Sequence, residues 1–85
     1  LSRQQAYTAF VLPMISQKVQ IHHGMPNFDI PLHFFNGYRQ KIDSVRNNET
    51  ALGTAKSMLI QHATTTLGLT NKQAGNVYKQ IIRGD

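Results

Sequence analysis

The sequence predicts an all-α fold, a compact four-helix domain whose first helix is kinked or split at Pro13 and whose last two helices form a tight hairpin. Three observations carry this prediction. Apolar residues recur at steps of three and four along most of the 85 residues. Cap-forming residues punctuate those stripes at Asn48, Gly68, Thr70 and Gly84. No alternating strand pattern, internal repeat or low-complexity tract competes with them.

In the first element, Ser2 is placed to cap a helix, and Tyr7, Phe10, Val11, Met14, Ile15, Val19 and His22 follow as one stripe. Pro13 removes a hydrogen bond to the carbonyl of Ala9 at a cost of about 3 kcal/mol, which leaves a kinked helix or two shorter ones. His22, His23 and Gly24 close it. The segment MPNFDIP, residues 25–31, reads as a connection tied down by Phe28. Asp29 is then the expected N-cap of a second helix, with Pro31 in its first turn. Leu32, Phe35, Tyr38, Ile42 and Val45 line its inner side, and Gly37 weakens it by about 1 kcal/mol.

Asn47 and Asn48 stop that helix and cap a third, which opens on Glu49 and carries Leu52, Ala55, Leu59, Ala63 and Leu67 toward the core. Gly53 and Ala55 are small enough for close helix packing. The β-branched run Thr64 to Thr66 weakens the last turn. Gly68 is the expected left-handed residue, Thr70 the next N-cap, and Thr70 with Gln73 fits a capping box. The fourth helix, Asn71 to Arg83, buries Ala74, Val77, Tyr78, Ile81 and Ile82, and Gly84 ends it.

A chain of this length is one small domain, residues 1–85, that buries roughly 60–65% of its unfolded surface. Because it begins at Leu1 rather than at a methionine, the expectation is a segment excised from a longer protein or a processed product. The absence of cysteine excludes a disulfide framework, a thiolate metal site and a thiol nucleophile. No apolar run approaches the roughly 20 residues of a membrane span, so no membrane partner is expected. The lack of cysteine suits either side of a membrane, and a cytoplasmic or nucleoid-associated location is the expectation.

The net charge of +5 arises from nine Lys and Arg against Asp29, Asp43, Glu49 and Asp85. No acid lies between Glu49 and Asp85, while Lys56, Lys72, Lys79 and Arg83 do, so the C-terminal half carries a one-sided positive field. At 100° per residue, Lys72, Asn76, Lys79 and Arg83 project away from the buried stripe of the last helix, with Gln73 and Gln80 on its flank. Arg and Lys neutralise phosphates and address guanine, and Asn and Gln pair with adenine, so this face suits a DNA groove.

The turn Leu67-Gly68-Leu69-Thr70 resembles that of helix-turn-helix DNA-binding modules over about twenty residues, which makes the predicted C-terminal hairpin helix-turn-helix-like. The resemblance implies Leu67, Leu69, Ala74 and Val77 as the inter-helix core and Asn71, Lys72, Gln73, Asn76 and Lys79 as groove-facing. It departs from the pattern at Thr64, where the module has a small residue. The predicted function is therefore DNA binding through Asn71, Lys72, Gln73, Asn76, Lys79 and Arg83, with Lys56 as a further phosphate contact. The alternative is a helical protein-interaction or regulatory module whose apolar surface on the first two helices takes a protein partner or a second copy.

No enzyme, metal or cofactor is expected. His22, His23 and His33 with Asp29 match no metal-ligand spacing, and the serines, threonines and scattered acids form no nucleophile elbow or paired carboxylates.

Overall fold

A computed structural model describes residues 17–23 and 26–84. It contains strand β1 (Lys18–Ile21), strand β2 (Phe28–Pro31), and helices α1 (Leu32–Ser44), α2 (Glu49–Thr66) and α3 (Asn71–Arg83). The helical stripe expected from Tyr7 to Ile15, and the kink at Pro13, lie outside the described residues. Among the described residues there are thus three helices and a two-stranded hairpin, a mostly helical domain rather than four helices.

Residues expected to end the first helix, Val19 and its neighbours, instead pair as β1 with β2. The pairing is antiparallel in the register Lys18 to Pro31, Val19 to Ile30, Gln20 to Asp29 and Ile21 to Phe28. The reason is local chemistry. Lys-Val-Gln-Ile alternates polar with β-branched residues, and across the hairpin Ile30 is again β-branched, so the side chains fit a pleated half-buried surface better than a helix turn. Alternation puts Ile21 and Ile30 into the core, with Val19 and Phe28 packed against it, while Lys18, Gln20 and Asp29 face solvent.

The connection expected over residues 25–31 is therefore half strand. Asp29 is a strand residue and not a helix cap, and the N-cap position of α1 belongs to Pro31, without a side-chain hydrogen bond. The Leu32 N–H donates to the Gln17 carbonyl at 3.1 Å. By the alternation of antiparallel ladders, the hydrogen-bonded pairs are then 17/32, 19/30 and 21/28. Pro31 falls on a non-bonded pair, where its missing N–H costs no ladder bond.

Helix α1 buries Phe34, Phe35 and Ile42, and α2 buries Ala55, Leu59 and Ala63 at a spacing of four. Asn48 caps α2 by accepting from the Ala51 N–H at 3.1 Å. Gly68 is left-handed at φ 70, and the Leu69 N–H returns to the Ala63 carbonyl at 3.2 Å, which turns the chain into α3. There Thr70 and Gln73 exchange the two bonds of a capping box, at 2.9 and 3.1 Å. The core joins Ile21 and Ile30 of the hairpin to Ala74, Val77 and Ile81 of α3.

Two polar residues fasten α3. Arg46, just past the end of α1, reaches across to donate to the Ile81 and Ile82 carbonyls, each at 3.0 Å, while its Nε donates to Asp43 at 2.7 Å. This places a cation on last-turn carbonyls at the negative end of the helix dipole. Gln80 is 2% exposed, and its carboxamide donates to the Gln20 carbonyl and accepts from the His22 N–H, both at 3.0 Å. In an extended strand the carbonyl of one residue and the N–H two residues on point the same way, here away from β2. One carboxamide therefore closes the open edge of β1 as a neighbouring strand would.

Gly53 does not serve helix packing. It is exposed, and a Cβ there would meet no atom within 4 Å. Gly53→Ala is accordingly expected to raise stability by about 0.5–1 kcal/mol, since alanine loses less backbone entropy in a helix interior. A urea midpoint that stays unchanged or falls would refute this. Among the described residues no helix is long and apolar enough to cross a membrane.

Candidate nucleic-acid interface

Helix α3 is amphipathic with its apolar side on the core, so its outer residues are set by the helical period. Lys72, Lys79 and Arg83 are all exposed. They fall within about 40° around the axis, with rises of roughly 10 Å and 6 Å between successive members. Asn71 is exposed in the first turn. Lys56 of α2 lies against the flank of α3, its Nζ 5.2 Å from the centre of the half-buried Tyr78 ring, which stands about 100–140° around the helix from the three cations. That cation–π contact sets a further cation against α3, and Tyr78 is the residue the sequence reading missed. Its apolar period marked it only as core, although Lys56 is a basic residue on the neighbouring helix.

The amides behave differently from the cations. Asn76, expected on the outer face, is 6% exposed and sits one turn before Gln80 on the same flank. Gln80 holds β1, and Gln73 is half-buried with its side-chain oxygen in the capping box. The face thus loses Asn76, Gln73 and Gln80 and keeps Asn71. What remains is cationic and acid-free from Thr50 to Gly84, suited to phosphates rather than to base edges. Comparison with protein-family models, curated proteins and solved structures finds no match to this chain.

The histidines match no metal-ligand spacing in the sequence. Among the described residues no group of three or more His or acidic side chains is close enough to hold a metal ion. His22 and His23 stack with ring centres 5.1 Å apart, and His33 is exposed on α1.

A second polar site lies between α1 and α2, where the Tyr38 hydroxyl is 3.0 Å from His62 Nδ1 and 3.4 Å from the Met58 carbonyl. Phe34 packs against both rings, at 5.0 Å from Tyr38 and 5.1 Å from His62. Burial pushes the Tyr38 phenol above its ordinary value of 10.0, because the phenolate loses water. A proton held more tightly in the folded state than in the unfolded one gives stability that is complete below pH 10 and lost as pH rises through the raised value. Tyr38→Phe should therefore make stability fall less steeply above pH 10. A variant whose stability falls as steeply as the parent's would contradict the assignment.

Proposed function

We propose that this domain binds duplex nucleic acid, DNA in the first instance, by laying the outer face of α3 along the phosphate backbone. The observation that carries the reading is the alignment of Lys72, Lys79 and Arg83 on one exposed stripe, with Lys56 held on the flank of the same helix by Tyr78 and no acid among them. Each cation releases a condensed counterion on contact with phosphate, and that term needs no base recognition. The burial of Asn76 and Gln80 favours binding that is tolerant of sequence, with Asn71 as the one exposed amide near a groove. The capped α2–α3 hairpin supports a helix-turn-helix-like presentation of α3, in which its N-terminal end leads.

An amide-correlation NMR titration with a mixed-sequence duplex at low salt tests this. Shifts are expected along Lys72, Lys79 and Arg83 and at Lys56, and not at the hairpin. Absence of any shift, or shifts confined to Tyr38, Met58 and His62, would sink the proposal. The latter pattern would favour a protein-interaction surface between α1 and α2, beside the exposed Met58, rather than on the first two expected helices.

A further inference from the structure

The cleft between α1 and α2 has the form of a small-molecule site. It encloses about 360 Å³, within the range of ligand pockets, and is walled by Phe34, Tyr38, His62 and Leu67. The aromatic members meet tilted or edge to face, with Tyr38 and His62 at 5.9 Å and an interplanar angle of 69°. Such edges and faces accept a further ring in the offset or T-shaped contacts that aromatic pairs prefer. The opening has a different character. His33 and Lys41 line it, both exposed, and among the described residues none of the lining side chains is acidic.

Gly37 explains why there is room. It lines the cleft one helical turn before Lys41, and a Cβ there would meet nothing within 4 Å. A glycine in a helix interior is disfavoured by the backbone, so the space it leaves is not required by α1 itself. Nor does α2 approach α1 closely there, since no neighbouring atom stands where a side chain would be.

We infer that this cleft binds a small aromatic carboxylate, its ring against Phe34, Tyr38 and Leu67 and its anionic end at Lys41 and His33. The charge at the mouth decides the class. An aromatic cage alone would favour a quaternary ammonium. Lys41 repels one, and it attracts a carboxylate at a distance where the half-open cleft screens less than bulk water does. His62 and Tyr38 add a hydrogen-bonding pair on the wall of the cleft for a ring substituent. This inference does not rest on the nucleic-acid reading, because none of its residues lies on the stripe of α3.

The test uses benzoate, with benzyl alcohol and benzyltrimethylammonium as neutral and cationic counterparts, followed by amide-correlation NMR on the full chain. A ligand of this size in an open cleft is expected to bind with a Kd of about 1 mM. Benzoate should give saturable shifts at Gly37, Lys41, His62 and Leu67, and bind at least about fivefold tighter than either counterpart. Lys41→Ala should remove that preference. Gly37→Leu should abolish binding by filling the cleft while keeping the fold, since leucine is the better helix former and meets open space. No saturable shift up to about 20 mM benzoate would overturn the inference. So would binding that Gly37→Leu leaves intact, or a response to benzyl alcohol or the ammonium equal to that to benzoate.

Discussion

Gln80→Ala is expected to lower the stability of the domain by about 2–4 kcal/mol, the largest effect of any single polar side chain in the structure. Two partners lose their bonds at once, the Gln20 carbonyl and the His22 N–H, and the side chain leaves space in a site that is 2% exposed. In urea the midpoint should fall by about 1.5–3 M for a chain of this size. Amide exchange should quicken at Val19, Ile21 and Ile30 before it does in α2, because the hairpin is what the carboxamide holds. Gln80→Glu separates hydrogen bonding from packing. It keeps the acceptor for His22 and faces the Gln20 carbonyl with a second acceptor, so its carboxyl should hold a proton more tightly when folded. That stability is present below the ordinary glutamate value and disappears as pH rises, so the variant should recover on acidification. A loss below about 0.5 kcal/mol for Gln80→Ala would mean the hairpin is held by its apolar side chains alone.

Replacing Lys72, Lys79 and Arg83 together by alanine should weaken duplex DNA binding at 50 mM salt on the order of a thousandfold, to the edge of detection. Each phosphate contact removed forfeits one counterion release, worth about 15-fold at that salt concentration. The fold should survive, since all three side chains are exposed and lie off the core. Only Arg83, at the C-terminal end of α3, interacts favourably with the helix dipole, worth about 0.3–1 kcal/mol. A Lys72→Arg, Lys79→Arg variant keeps the charges and should bind as the parent does. If it fails while the fold is intact, the contacts are not electrostatic. Fluorescence anisotropy of a labelled duplex, with circular dichroism for the fold, reads both variants.

The helices were legible where caps and period agreed. Asn48, Gly68, Thr70 and Gly84 each stand at the helix end that their chemistry marks, and α3 runs from Asn71 to Arg83 as its stripe demands. The hairpin was not legible. Val19 and His22 continue the three-and-four spacing of the residues before them, and four residues are too few to distinguish that period from a period of two. Pro31 and Asp29 looked like a helix entry because proline and aspartate are common at N-termini. The same proline also fits a strand at a non-bonded pair, and only the register decides between the two.

The candidate interface was legible in its charges and not in its amides. Lys72, Lys79 and Arg83 face outward because long charged side chains are rarely buried without a partner. Asn76 and Gln80 have no such compulsion, and the flank they occupy is covered by an arrangement the local sequence does not encode. Tyr78 and the cleft beneath Gly37 were missed for a related reason, since both depend on how α2 lies against its neighbours.

The salt dependence of DNA binding by the unmodified chain tests the central claim most directly. With Lys56, Lys72, Lys79 and Arg83 on phosphates, the logarithm of the binding constant should fall with that of salt at a slope of about −3.6. Affinity would then drop about 150-fold between 50 and 200 mM. A slope near zero, or no retention of duplex at 50 mM salt, would contradict it.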